Sequence, residues 1–198
     1  MAKNGAWHIA DNPALYEPAR KNNFRFVVTD IDNLVKAGVP ENLVNDDTDR
    51  IVNGQEYLEV SVISTTVPHV KIGTIEVPRG NTKSKFAGVA SFDDGSLVVN
   101  DFIGARTKSI LMAWQALVFD VNSEAIHMSS NYKKTCYLYE YTPDYETVIR
   151  SWRLEGCWVS DLSEDDFSNE EEGKKQVTAT IVFDKAIPQD NDGYGANG

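Results

Sequence analysis

The stretch VIRSWRLEGCWVSDLSEDDFSNEEEGKKQVTATIVFDKAI, from Val148 to Ile187, decides the fold, because it indicates two long strands joined by an acidic tip. Apolar and polar residues alternate through its first half, and one face holds Trp152, Leu154, Gly156 and Trp158. The second half repeats the alternation, and one face holds Val177, Ala179, Ile181 and Phe183. A period of two residues is typical of half-buried antiparallel strands. Neither strand carries a catalytic group, which favours an architectural role.

The composition of the chain limits both its size class and its ligands. With 198 residues, 41% of them hydrophobic, the chain is long enough for one ordinary core and short for two, so we predict a single domain over residues 1–198. The formal net charge of −11 argues against a surface that grips nucleic acid. Such binding relies on Lys and Arg side chains that neutralise phosphates.

Cysteine usage and the apolar segments indicate where the protein folds. Cys136 and Cys157 lie in predicted strands, which favours buried free thiols of a reducing compartment over a disulfide. The residues Met1–Asn12 lack the basic start and the apolar run of a secretory signal. The longest mostly apolar stretch, Ile110–Phe119, is far shorter than the ~20 residues that span a bilayer. We therefore expect the protein to fold in the cytoplasm.

The remaining predicted elements are short strands, two helices and two irregular ends. The alternating pattern predicts strands at Asn23–Thr29, Tyr57–Val67, Val70–Val77, Val89–Phe92, Ser96–Val99 and Tyr132–Tyr141. The dipeptide Asp94-Gly95 predicts a tight hairpin between the fourth and fifth of these strands. Helices are predicted at Asp30–Ala37 and Thr107–Asp120, a loop at Val39–Gln55, an arm at Met1–Asn22 and a mobile tail at Pro188–Gly198.

Two surfaces of these elements leave more than one interpretation open. The helix Thr107–Asp120 is apolar nearly all round, so its outer side is covered either by the protein's own loops or by another subunit. Tyr137, Tyr139 and Tyr141 share one face of their strand, where they either pack at a core edge or subunit contact or stack on bases. Base-stacking platforms need a positive groove, and few cations accompany these tyrosines.

A search for chemistry predicts no catalytic residue, no cofactor and no metal. The chain has no nucleophile elbow, no phosphate-binding glycine loop and no zinc-protease helix motif. His8, His69 and His127 lack neighbouring ligands at metal-binding spacing, and the acidic tip Asp161–Glu172 is interpreted as a solvated hairpin end. Carboxylates that converge in space are not excluded by sequence, so a hydrolytic site stays an alternative.

The order of several short motifs resembles one protein family. These are the strand Phe-Arg-Phe-Val-Val from Phe24, Val67-Pro68-x-x-Lys71-Ile72-Gly73-Thr74-Ile75-Glu76, Gly80-Asn81-Thr82-Lys83 before Lys85-Phe86-Ala87-Gly88, the Trp114 helix, Tyr137-Leu138-Tyr139, Trp152-x-Leu154-x-Gly156-x-Trp158 and Val177–Asp184. Over about residues 23–187 this order is similar to that of the tail tube proteins of contractile-tailed bacteriophages, which are related in fold to bacterial type VI secretion tube proteins. The loop Val39–Gln55, the acidic tip and the Gly-rich tail depart from the pattern.

The resemblance implies a mainly β (α+β) fold, a β-sandwich or β-barrel of the tail-tube type with one main helix. Subunits of such proteins form six-membered rings that share a continuous inner β-barrel and stack into a hollow tube. The implied function is a structural virion protein that conducts DNA into the host, without catalysis. The implied partners are further copies of itself, the tail sheath, the baseplate or tail initiator, the tail terminator, the tape measure protein and passing DNA, with no membrane. The implied location is the virion, after assembly in the host cytoplasm.

Residue roles follow from this implied tube. A channel wall that binds neither DNA nor apolar cargo should be polar and acidic, so we expect lumen-facing residues on the strands Tyr57–Ser64 and Ser91–Asp101. These lumen candidates are Glu59, Ser61, Asp93, Asp94, Asn100 and Asp101. Stacking contacts are expected from Thr65–Gly88, with support from both chain ends. The inter-subunit candidates are Pro68, Lys71, Arg79, Lys83 and Trp114.

Two other functions remain open from the sequence. The first alternative is a secretion-system tube protein or baseplate protein of the same fold, which neighbouring genes would distinguish from a phage tube protein. The second is an unrelated ligand-binding or hydrolytic β-barrel, which would be a monomer with a polar-lined pocket.

Overall fold

The computed structural model describes residues 17–31, 54–102, 107–166, 168 and 172–189. Within them the strands are β1 (Phe24–Val28), β2 (Val62–Thr65), β3 (Val70–Arg79), β4 (Thr82–Phe92), β5 (Gly95–Asn100), β6 (Phe119–Asp120), β7 (Ala125–Ile126), β8 (Lys134–Tyr141), β9 (Val148–Glu164), β10 (Gln176–Val182) and β11 (Lys185–Gln189). The helices are α1 (Gly54–Ser61), α2 (Thr107–Ala116) and α3 (Ser129–Tyr132). The predicted mainly β class is confirmed.

The main sheet is antiparallel and open. Its strands lie in the order β1, β8, β9, β10, β5 and β2, and β11 also pairs with β9. The long strand β9 connects two halves of this sheet, since residues 148–157 pair with β8 and residues 158–164 pair with β10. β10 and β11 together form the return strand, which confirms the predicted hairpin of Val148–Ile187.

A bulge at Gly156 connects the two halves of β9. Gly156 has a φ of 71°, a left-handed conformation that favours glycine, and the carboxylate of Asp184 lies where a Cβ would be. Nζ of Lys133 holds that carboxylate at 2.8 and 2.6 Å. The bulge shifts the pairing by one residue. The buried face of β9 therefore holds Leu154 before the bulge and Cys157 after it, so the buried residues change from even-numbered to odd-numbered positions.

The predicted shared face of β9 is therefore wrong beyond Leu154. Trp158 lies opposite the buried Cys157 and Val159, and its ring packs edge-on against Tyr132 at 5.8 Å. A one-residue offset moves every later side chain to the other face of a strand, and the sequence alternation did not reveal this offset.

The core lies between the main sheet and the two longer helices. α2 packs on β9 and on α1, and α1 packs against β1. Trp114 of α2 is fully buried, and its Nε1 donates a hydrogen bond to the carbonyl oxygen of Tyr132 at 3.0 Å. Ser61 and Thr107 are also buried, and their hydroxyls lie 2.6 Å apart where α1 meets α2.

Two predicted elements differ in type or length. The predicted strand from Tyr57 is instead the end of α1, where Gly54, Leu58 and Ser61 are buried at helical spacing. The predicted helix from Thr107 ends at Ala116 rather than Asp120, because the chain turns into the short hairpin of β6 and β7.

The chain around β4 also differs from its prediction. Asp94-Gly95 does not form a hairpin between β4 and β5, since β4 pairs with β3 whereas β5 pairs with β10 and β2. The two-residue turn at Gly80 and Asn81 connects β3 and β4 instead, with a φ of 62° at Gly80.

At the end of the described chain, the predicted tail contributes a strand. Pro188 and Gln189 belong to β11 and pair with Trp152 and Ser151 of β9. The predicted Asp30–Ala37 helix, the loop 39–53 and the arm 1–16 lie outside the described residues, apart from residues 30 and 31. No helix in the described part of the chain is long and apolar enough to span a membrane.

Both cysteines are buried and free, as the sequence predicted. Burial, together with a hydrogen bond to the neighbouring thiol of Cys157, raises the pKa of Cys136 well above its ordinary value. The Cys136 thiol is therefore an uncharged core group at neutral pH.

Candidate assembly surface

The hairpin of β3 and β4 is the most exposed part of the described structure. Every residue of β3 is exposed, and among the described strands β3 and β4 pair only with each other. The exposed apolar side chains include Val89 at 86%, Ile72 at 59% and Phe86 at 58%. An isolated two-stranded hairpin is marginally stable in water, so this hairpin gains little stability from packing within the described structure.

The hairpin presents apolar residues on different faces along its length. Near its base, Val70 and Ile72 pair with Phe92 and Ala90, so apolar residues share one face there. Near its turn this same face carries charged side chains, among them Glu76, Lys83 and Lys85, which form ion pairs. The opposite face near the turn carries the apolar residues Ile75, Val77, Phe86. The hairpin therefore offers apolar contacts on both sides.

A bulge and two glycines make this change of side possible. The pairing of β3 and β4 shifts between Ile72 and Thr74, where Gly73 and Gly88 cross closely. A Cβ on Gly88 would lie 3.1 Å from the backbone of Gly73, so this crossing requires small residues.

The two edges of the main sheet line one cleft. Phe24 and Phe26 of β1 and Val62 and Ile63 at β2 line a cleft of about 700 Å³. The guanidinium of Arg25 lies in this cleft and donates to Glu59 at 2.7 Å, which raises the pKa of Arg25. The cleft separates β1 from β2, so the sheet remains open between its edges.

A second apolar area surrounds the end of α2. Met112 is 51% exposed, which confirms that an apolar residue lies on the outer side of α2, and Phe119 of β6 is 42% exposed beside the end of the helix. The β6–β7 hairpin adds the exposed Val121 and Ile126. The sequence-based alternatives for covering this side, own loops or another subunit, both remain.

The tyrosines of β8 form an extended stack. The rings of Tyr137 and Tyr139 are 6.0 Å apart and nearly parallel, and Tyr141 and Tyr145 continue the series at 6.4 and 5.9 Å. Partial burial and the neighbouring tyrosines raise the pKa of Tyr139, an effect that Arg25 opposes. The tyrosines therefore pack on one another along β8, and both sequence-based interpretations of this face stay predictions.

The predicted lumen residues lie in different parts of the structure and differ in burial. Ser61 is buried between α1 and α2, so its predicted place on a channel wall is wrong. Glu59 lies on α1, where its carboxylate is bound by Arg25. Asp93 and Asp94 are exposed where the hairpin joins β5, and Asp93 lies 3.7 Å from His69.

The last two lumen candidates follow β5. Asn100 is half-buried and ends the strand, and its Oδ1 has no hydrogen-bond partner among the described residues. The backbone N–H of Asp101 donates to the carbonyl of Lys175 at 3.0 Å. Apart from Ser61, the lumen candidates stay predictions.

Four of the predicted contact residues lie on or beside the exposed hairpin, and the fifth does not. Lys71, Arg79 and Lys83 are exposed on the hairpin, and Pro68 immediately precedes β3. Trp114 is wrong as a direct contact residue, because its side chain fills the core of its own subunit. Sequence reasoning missed Val89, whose exposure follows from the bulge in β4.

Groups with unusual chemistry are few. No cluster of three or more His, Cys, Asp or Glu side chains within the described ranges is placed to hold a metal ion. Glu164, at the base of the acidic tip, accepts from Lys108 at 2.7 Å and Lys175 at 2.8 Å, and both bonds lower its pKa. This arrangement resembles a structural ion-pair network rather than a pair of acids with different pKa values.

Comparisons with known proteins find similar chains among solved structures alone. No family model and no curated protein sequence matches the chain. A chain of the PVC sheath–tube complex of an extracellular contractile injection system, in the extended state, matches with a TM-score of 0.59 and 14% identity, over 96% of this chain and 99% of the other. A chain from the tube-terminating cap of the anti-feeding prophage gives 0.61 and 15% identity over the same shares.

A third structure extends this set to another part of the same kind of machine. A chain of the anti-feeding prophage baseplate matches with a TM-score of 0.58 and 8% identity, over 88% of this chain and 97% of the other. These chains match along nearly their whole lengths, so the similarity concerns the overall fold rather than one part of it. The protein therefore has the tail-tube fold that the sequence predicted, which it shares with chains of contractile injection systems.

Proposed function

We propose that this protein is a structural, non-enzymatic subunit of a contractile tail tube. Six copies form a ring, and stacked rings form a hollow conduit through which DNA passes into the host. The observation that carries this proposal is the projecting β3–β4 hairpin, whose apolar side chains and strand edges have no partner among the described residues. Pairing with a neighbouring copy satisfies both, since ring closure removes exposed strand edges.

The fold and the charge of the chain agree with this role. The matched chains come from assemblies that are named for a tube, a tube-terminating cap and a baseplate. The net charge of −11 opposes adhesion of DNA to the wall of such a conduit within the ~8 Å screening length of physiological salt. The proposed partners are other copies, the sheath, the tail initiator, the terminator and the tape measure protein, in a virion that is assembled in the host cytoplasm.

A second candidate has a specific observation in its favour. The matches described above are to extracellular contractile injection systems, so a tube that delivers something other than a phage genome is the closest alternative. Neighbouring genes distinguish the two: capsid and terminase genes indicate a phage, and their absence beside sheath and baseplate genes indicates an injection system.

Assembly of the purified protein tests the proposed function. We expect sedimentation velocity over a range of concentrations to detect rings. We expect negative-stain electron microscopy to show tubes whose diameter equals that of a ring. Phe86→Ser on the apolar face of the hairpin should leave the melting temperature nearly unchanged and abolish tubes. The matched control is Val60→Ser, since Val60 is also exposed but lies on α1 rather than on the hairpin.

Two results would overturn the proposal. One is a strictly monomeric wild-type protein at high concentration, with no tubes even beside a tail initiator complex. The other is tube formation by Phe86→Ser at the wild-type yield, which would remove the hairpin from the interface.

A further inference from the structure

Gln55 makes an unusual pair of hydrogen bonds to the backbone of β1. Its Oε1 accepts from the N–H of Val28 at 3.0 Å, and its Nε2 donates to the carbonyl oxygen of Phe26 at 3.1 Å. These two backbone groups flank Val27 on the side of β1 that faces away from β8. A single side-chain amide thus makes the two hydrogen bonds that the N–H and C=O of one residue in a neighbouring parallel strand would make.

The orientation of this amide is fixed by a charged pair. Nε2 of Gln55 also donates to Oε1 of Glu59 at 2.8 Å, one turn further along α1. The same Glu59 oxygen accepts from Arg25 at 2.7 Å, and Arg25 itself lies on β1. Only the orientation with Nε2 towards Glu59 makes all of these bonds, because a carboxylate accepts and does not donate. The helix and the strand are therefore joined by one connected network.

The edge that this network covers lies at the β1 end of the main sheet, and β2 lies at the other end, with β11 as a further outer strand beside β9. β1 has β8 on one side, and the described residues place no strand on its other side. An open edge is a template for strand addition by another chain, and proteins that must remain specific protect such edges. The other sheet edge, β2, carries no comparable side-chain amide among the described hydrogen bonds.

We infer that Gln55 closes the β1 edge against strand addition by a second copy of this chain. Strand-mediated assembly is thereby restricted to the other free edges of the described strands, those of β2, β11 and the β3–β4 hairpin. The closure itself depends only on the observed bonds, whereas its use in directing ring formation rests on the proposed function. Gln55 is a positioning residue for assembly, since it selects the edge rather than forming the interface.

The test replaces the amide without changing its length. Gln55→Met keeps the size and helix propensity of the side chain but removes both bonds to β1. We expect hydrogen exchange of the Val28 amide, measured by nuclear magnetic resonance on the full chain, to become about tenfold faster, because one lost hydrogen bond is worth about that factor. We also expect non-tubular aggregates to form in competition with rings, detected by sedimentation and electron microscopy.

Control variants separate edge closure from general destabilisation. Glu56→Met introduces the same residue at the adjacent exposed position of α1 and should change neither measurement. Gln55→Glu keeps the acceptor for Val28 but replaces the donor to Phe26 beside the Glu59 carboxylate, so it should also produce aggregates. This second variant keeps the test decisive if Gln55→Met is too unstable to study.

Each outcome decides the inference. Val28 exchange within twofold of the wild-type rate in both Gln55 variants would overturn the closure of the edge. Faster exchange without any non-tubular species would overturn its role in selecting the assembly edge. If the wild-type protein forms no tubes, the proposed function fails, whereas exchange at Val28 and aggregation of the variants still decide whether Gln55 closes β1.

Discussion

The indole of Trp114 donates from Nε1 to the carbonyl oxygen of Tyr132 at 3.0 Å, and the Trp114 side chain is fully buried. This bond joins α2 to the end of α3, directly before β8 begins. A buried indole needs such an acceptor, because an unpaired polar group in a core is costly. The residue that the sequence analysis assigned to an interface is therefore a central part of the core.

This difference in burial predicts unequal effects for two tryptophans. Trp114→Ala should lower the free energy of unfolding by about 3–5 kcal/mol through lost burial and a cavity. Trp152→Ala should cost roughly half as much, since the Trp152 side chain is only partly buried against the core. Urea denaturation of the monomer measures both. Equal losses for the two variants would contradict the conclusion that burial of Trp114 contributes more to the free energy of unfolding than burial of Trp152.

The bulge in β9 predicts that Gly156 tolerates no side chain. Gly156→Ala should destabilise the protein markedly, because alanine is strained at a φ of 71° and its Cβ would meet the carboxylate of Asp184. The double variant Gly156→Ala with Asp184→Ala should recover part of the loss, since the contact is removed and the strain remains. Thermal denaturation of the two variants, with Asp184→Ala alone as the control, measures the recovery. No recovery would mean that backbone strain alone sets the cost.

The ion pairs of Glu164 predict a stability difference that depends on pH. Lys108 and Lys175 lower the pKa of Glu164 in the folded protein below its ordinary value of 4.5. The wild-type protein should therefore gain stability from this carboxylate above that value and lose it as the pH falls through the lowered folded pKa. Melting temperatures of the wild type and Glu164→Gln should differ at neutral pH and converge in acid.

Two observations control this comparison. Glu172→Gln, a change at an exposed acid beyond the pairs, should follow the wild-type profile. High salt should reduce the neutral-pH difference, because the Glu164 pairs are partly open to solvent. A difference that persists in acid would show that the pairs are not its source.

The predicted acidic channel wall stays testable with Asp94 and Asp101, which lie outside the core. Asp94→Lys with Asp101→Lys should leave the melting temperature of the subunit nearly unchanged, since charge changes away from the core usually cost little. The same pair should slow passage of DNA in a salt-dependent way, because lysines attract phosphates. Ejection rates of virions assembled with the variant subunit provide the measurement. Unchanged rates at every ionic strength would remove both residues from the channel wall.

The sequence predicted those parts of the fold that rest on local patterns. The alternation in β9 and β10, the short strand at β1 and the tyrosine face of β8 follow directly from residue periods. The helix α1 did not, because Tyr57, Glu59 and Ser61 also fit the period of a strand. Its type is decided by the burial of Leu58 and Ser61 against other elements, which a local pattern does not contain.

The errors at β9 and β4 have a different physical origin. Each strand contains a bulge beside a glycine, and a bulge changes which face the later residues occupy. Asp94-Gly95 carries a strong hairpin signal, yet Gly95 starts a strand whose neighbours are β2 and β10. Long-range packing determines which strands pair. The sequence therefore predicted where the assembly surface lies along the chain, but not which face of each strand its apolar residues occupy.

The attachment of the β3–β4 hairpin determines how the subunit would carry mechanical load. β2 leads into the hairpin and β5 leads out of it, and these two strands are themselves paired. Thr66 and Ser96 clamp the two connections with reciprocal bonds of 3.0 Å. A pull on the hairpin therefore moves β2 and β5 together, and the strain is borne by the six paired positions between β5 and β10. Those hydrogen bonds lie across the direction of pull and resist it together, so tension on the projecting hairpin is distributed into the core of the subunit.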